Sequence, residues 1–231
     1  LIRWIERRTG GQYWYAPSFA ALLARLPKQA QLVHLHSLHG IESYADIRPL
    51  IALSRRIPVV LTLHDLWLLT GHCAYPLECP RWRSGCGQCP DLERYPALPR
   101  DGTRANWRRK LRILAKVQGH LIVPSQWVAE QVAQSPILRH LPVTVVPNPV
   151  DTRLFCPSDR IPARERLGLP PEARVLLISA QHWTNPYKGL LEGLAVIRQI
   201  SDPRLYVVAI GTDAEAVLSQ CQVPGRAVAY Q

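Results

Sequence analysis

Short aliphatic runs that alternate with helix-like stretches constrain this chain more than any other feature. "LVHLH" (32–36), "VVLTLH" (59–64), "HLIVP" (120–124) and "VTVVP" (143–147) have the length and branched composition of strands buried in a parallel sheet. Between the first two, "IESYADIRPLIALSRRI" (41–57) carries apolar residues near helical spacing and is expected to kink at Pro49. Ser125 is placed to cap a helix over "QWVAEQVAQS". After the Pro-rich "PNPVDTRLFCPSDRIP" the pattern begins again. Strand "RVLLISA" leads to helix "KGLLEGLAVIRQI", strand "RLYVVAIG" and helix "DAEAVLSQC", and the final "GRAVAYQ" carries no closing element. Repeated β-α-β units imply parallel sheets with right-handed crossovers. The expected fold is therefore α/β with two Rossmann-like domains. The first spans 1–149 with a Cys-rich insertion at 71–90, and the second, 150–231, is cut short.

Charge and composition narrow the class. The net charge of +11 suggests a polyanionic partner such as nucleic acid, a phosphate-rich substrate or an anionic membrane. Of the 28 basic residues only Lys28, Lys110, Lys116 and Lys188 are lysines, and the arginines are scattered rather than gathered in one run. "RANWRRKLR" (104–112) is the best local candidate for a nucleic-acid contact, and its plainer reading is an exposed helix. No apolar stretch reaches the roughly 18 residues of a membrane span, and no secretory leader is visible. The sequence starts at Leu1 and contains no methionine, so it reads as a fragment.

Four groups of residues could carry chemistry. His64 and Asp65 follow a strand at its carboxyl end, where open parallel sheets bind ligands. The competing reading has Asp65 capping the next segment and His64 packed at the sheet edge. In "HLHSLHG", alternation puts His34 and His36 on one face, with His39 in the loop beyond. These could bind a metal or act as hydrogen-bonding residues of a cleft. Cys73, Cys79, Cys86 and Cys89 form a C-x5-C-x6-C-x2-C pattern whose closing "CGQC" suits a tight turn around tetrahedral zinc. Reduced thiols, two disulfides or a redox pair at Cys86 and Cys89 are the alternatives. Lys188-Gly189 is expected to open a helix, where backbone N–H groups and a lysine can hold an anion. A solvated lysine is the plain alternative.

Taken together, "LVHLHSLHG", "PVVLTLHDLWLLTGHCAYPLECPRWRSGCGQCP", "HLIVPSQWVAE", "VTVVPNPVDTRLFCP", "ARERLGLP" and "YKG" resemble glycosyltransferase family 4, in the branch of bacterial exopolysaccharide and colanic-acid-type assembly. The resemblance implies a GT-B fold, lacking here its initial strand and much of its second domain. It implies an acceptor-side N-terminal domain, with His36, His39 and Gly40 at the cleft, and a C-terminal domain that takes a nucleotide-sugar donor. His64 and Asp65 would act at the reacting centre, and Lys188 with Gly189 would hold the departing diphosphate. The family generally retains anomeric configuration and uses no catalytic metal, so zinc would be structural. The implied partners are the nucleotide sugar and a glycan or polyprenyl-diphosphate-linked acceptor, with peripheral contact to anionic membrane at the cytoplasmic face, and no nucleic acid. A zinc-stabilised basic nucleic-acid-binding module is the rival from another class. Trp183 stands five residues before Lys188, where the family usually has an arginine, and the family's paired glutamates would fall beyond Gln231. This stretch alone is therefore expected to be inactive.

Overall fold

The structure, a computed structural model, describes residues 2–12, 21, 24–40, 44–183, 185–220 and 226–230. The chain divides into two compact units, Leu1–Pro149 and Val150–Gln231. Both are α/β with parallel sheets.

The first unit runs α1 (Ile2–Thr9), β1 (Val33–His36), α2 (Pro49–Leu53), β2 (Val59–Thr62), α3 (Thr103–Leu114), β3 (His120–Val123), α4 (Gln126–Gln134) and β4 (Val143–Val145). Its strands form one sheet in the order β1-β2-β3-β4, all parallel, with Val33 opposite Val59, Leu61 opposite Leu121 and Val123 opposite Val145. Alternate strand residues Val59, Leu61, Leu121 and Val123 are buried, and Leu50, Val128, Val132, Ile137 and Leu138 complete the core around them. Each such side chain contributes about 1.5–3 kcal/mol by leaving water.

Two local expectations change. Pro49 does not kink a helix; it begins one, at a position where its missing N–H costs nothing. Residues 41–43 of the expected helix lie outside the described residues. Ser125 caps α4 as its sequence implies, its hydroxyl accepting from the Val128 N–H. The "RANWRRKLR" helix is not simply exposed: Thr103, Asn106, Trp107, Lys110, Ile113 and Leu114 form a buried stripe at three- and four-residue spacing. The arginines on its other face remain in water or part-buried, but its only lysine is inside.

The long connection from β2 to α3 is packed rather than draped over the surface. It holds two 3-10 turns, Trp67–Leu69 and Arg81–Arg83, and buries Leu66, Trp67, Leu68, Leu69, Ala74 and Trp82. Its backbone is tied by Leu66 N to Ala74 O at 3.0 Å and Ala74 N to Tyr95 O at 2.8 Å.

The second unit contains α5 (Arg160–Arg166), β5 (Arg174–His182), α6 (Leu190–Ile197), β6 (Leu205–Thr212), α7 (Ala214–Gln220) and β7 (Arg226–Tyr230). β5, β6 and β7 make a parallel sheet in that order. The third strand comes from "GRAVAYQ", where no element was expected. Trp183 is buried against Leu190, Leu194 and Val207, and its indole N–H donates to Ile210 O at 3.0 Å. Gly211 makes that close fit possible, since a Cβ there would stand 1.7 Å from Ala180 O.

Candidate functional site

The parallel register of β1 and β2 sets His36 opposite Thr62. Two residues past Thr62, His64 turns back, and its Nε2 meets His36 Nδ1 at 2.9 Å. One ring donates and the other accepts, so their tautomers are linked. The rings stack with centroids 5.2 Å apart. His34, on the same face of β1, lies 4.2 Å from His36 by ring centroids and reaches Thr62 Oγ1 at 2.7 Å through Nε2. His34, His36 and His64 are all exposed, so His64 is not packed into the sheet edge. Desolvation, and then the neighbouring His36 and His64, hold the His34 pKa below its ordinary value.

A second pair sits deeper. His39 Nε2 and Asp65 Oδ2 are 2.8 Å apart, with both side chains largely buried. Asp65 Oδ1 accepts from Trp67 N at 2.8 Å, so the carboxylate caps the 3-10 turn and orients the imidazole together. His39 Nδ1, on the other side of the ring, is buried and has no hydrogen-bond partner. A cavity of about 20 Å³ is lined by His39, His64, Asp65, Thr62 and Trp67. That is room for about one water-sized group. Beneath it, Trp67 Nε1 donates to Gln12 Oε1 at 2.9 Å, Gln12 Nε2 to Tyr44 OH at 3.3 Å, and Asn106 Nδ2 to Gly10 O at 2.9 Å. Residues from both ends of the first unit thus fix the Trp67 turn. Sequence reading had no means of pairing Gln12 with Trp67 across that distance.

The structure brings His36, His39, His64 and Asp65 into one place. Gly40 follows His39 and is half-buried. Lys188 and Gly189 belong to the other unit. There the expectation needs correcting: Lys188 ends a 3-10 turn, Pro186–Lys188, and Gly189 adopts a left-handed φ of 63°, so the lysine stands just before α6 rather than in its first turn. Trp183, buried and bonded to backbone, supplies no cation to a diphosphate.

The four cysteines, with His72 and Thr70, line one cavity of about 20 Å³ in the β2–α3 connection. All four are free thiols. Among the described residues no three His, Cys, Asp or Glu side chains already converge in metal-holding geometry. Burial pushes the Cys73 thiol up to about 11 and Cys86 up to about 12, and it raises Cys89 as well. Such thiols are poor nucleophiles, which counts against a redox pair at Cys86 and Cys89. Gly71 N donates to Cys86 Sγ at 3.2 Å, and His72 holds Pro96 O through Nδ1 and Cys89 Sγ through Nε2, at 3.1 and 3.3 Å.

Lys110 went unnoticed in sequence. It is enclosed on the buried face of α3, donates to Trp67 O and Thr70 O, and lies 3.6 Å from the centroid of the Trp67 ring. Burial lowers its pKa to about 7, partly offset by Cys86, Cys73 and Asp65. Its place on the three- and four-residue stripe was the available signal.

WcaC of Escherichia coli K12, named for glycosyl transfer in colanic acid biosynthesis, is 30% identical over 109 residues, 43% of this chain and 26% of that protein. A D-inositol 3-phosphate glycosyltransferase of Stackebrandtia nassauensis is 39% identical over 75 residues, 30% of this chain and 16% of its own length. The chain thus spans about a quarter or less of these relatives. The model of glycosyltransferase family 4 matches residues 1–154, the whole first unit and the start of the connection beyond it. With that match over most of its length, the chain belongs to glycosyltransferase family 4.

Proposed function

We propose that this sequence forms the acceptor-side domain, and the beginning of the donor-side domain, of a transferase. The enzyme moves a sugar from a nucleotide-diphosphate sugar to a glycan or lipid-linked acceptor in surface polysaccharide biosynthesis. The observation that carries this reading is the linked His36–His64 and His39–Asp65 pairs at the carboxyl ends of adjacent parallel strands, where such sheets take ligands. His64, exposed and held by His36, offers a hydrogen bond to the donor's sugar or phosphates at the reacting centre. His39, oriented by Asp65, lines the small cavity beside His64. Departure of a nucleoside diphosphate builds negative charge, and Lys188 with the backbone at Gly189 is our choice for its counter-charge. No metal takes part in this transfer, and we expect retention of anomeric configuration.

A thermal-shift titration of the full-length gene product with UDP, GDP and a short DNA duplex tests it. A ligand that binds only the folded state raises the melting point by mass action. One nucleoside diphosphate should shift the transition while DNA does not. A shift with DNA alone, vanishing as salt rises, would replace this reading with the basic binding module.

A further inference from the structure

Two features, one in the β2–α3 connection and one on α3 itself, are unexplained by sugar transfer. One is four thiols around a single small cavity; the other is a buried lysine with no carboxylate in ion-pair contact among the described residues. We propose that they form one site, in which Cys73, Cys79, Cys86 and Cys89 bind a structural Zn²⁺ as thiolates and Lys110 is its buried counter-cation.

The cavity the cysteines line has room for one water-sized sphere, hence for one ion and little else. The thiols surround this space without three of them yet closing on a common point, so binding requires their side chains to turn inward. Each loses its proton to solvent as the bond to zinc forms, which leaves a complex of charge −2 in a buried place. An isolated buried charge of that size costs far more than a paired one. Lys110 supplies a cation at hand. Its ammonium meets two backbone carbonyls and an aromatic face, groups that hold a cation but do not neutralise it. It reaches the cavity through Thr70, which lines the same space as the four cysteines and whose hydroxyl donates to Cys73 O.

The same lysine grips the carbonyls of Trp67 and Thr70, which bracket the 3-10 turn capped by Asp65. Zinc would therefore stiffen the turn that orients His39, at a distance from the chemistry. Cys156, exposed and outside the cluster, has no part in it. The inference stands whether or not the transferase reading does.

The full-length protein, purified without chelator, should carry about one zinc ion per chain by elemental analysis. Cobalt substitution should give the visible bands of a tetrahedral tetrathiolate. Cys156→Ser should keep the metal, whereas Cys86→Ser and Cys79→Ser should lose it. Lys110→Met should weaken zinc binding by about 10- to 100-fold, the usual range for a residue that supports metal ligands. That affinity is read on protein whose circular dichroism matches the parent. Folded parent without stoichiometric zinc, whose four cluster thiols titrate as free or prove to be disulfides, would overturn the site. Unchanged zinc affinity in Lys110→Met would overturn the counter-cation.

Discussion

At the scale of single residues, Asp65 does the most for the least surface. Both carboxylate oxygens are used, one on the Trp67 N–H and the other on His39. Asp65→Ala should therefore cost about 2 kcal/mol, since hydrogen bonds to a charged group are lost and a buried N–H is orphaned. Denaturant titration measures this; a cost within 0.5 kcal/mol, the range of ordinary surface substitutions, would contradict it. His34 gives a pH signature. Its folded pKa lies below the ordinary 6.5, so below that pH the unfolded chain binds the proton more readily and stability falls as pH falls. Above pH 6.5 the effect is absent. His34→Gln should leave melting unchanged at pH 8 and make it less sensitive to acid below pH 6.5. An identical acid profile for parent and variant would rule the effect out. His64 and Asp65 were legible in the sequence because a His-Asp pair after an aliphatic run sits where parallel sheets bind ligands. The His36–His64 bond was not, because it depends on the register of two strands separated by more than twenty residues.

At the scale of elements, strands were easier to foresee than helices. Val59–Thr62 and His120–Val123 follow directly from β-branched and aliphatic runs. α3 was harder, because a lysine and several arginines masked its buried face, and Lys110 reads as solvated until Trp67 is seen above it. The third strand of the second sheet was missed although the sequence marks it: Pro224-Gly225 is a turn signal directly before Arg226–Tyr230, and five residues is an ordinary strand length. Caps can be tested cheaply. Ser125→Ala should destabilise the first unit by about 1 kcal/mol through loss of the bond to Val128 N, and no change in denaturation midpoint would contradict the cap. Gly211→Ala should be worse than the typical ~1 kcal/mol of a point substitution, because its Cβ would strike Ala180 O and force Trp183 outward. Trp fluorescence of the variant should shift to the red, and an unaltered spectrum with parental stability would contradict this packing.

At the scale of the whole molecule, two α/β units with parallel sheets match what the resemblance to GT-B enzymes implies, and family membership now rests on residues 1–154. The excess of basic side chains suits a surface held near anionic lipid, where a polyprenyl-diphosphate acceptor would reside. Among the described residues no helix is long and apolar enough to cross a membrane. The full-length protein should cosediment with anionic vesicles at low salt and release as salt rises; absence of binding at low salt would remove the membrane role. If the linked imidazoles act on the transferred sugar as proposed, turnover by the full-length enzyme depends on them. His64→Ala should lower transfer by about 100-fold or more, the usual loss when one preorganised donor at a reacting centre is removed, while nucleotide affinity changes little. Transfer by His64→Ala at the parental rate would show that His64 takes no part in the reaction.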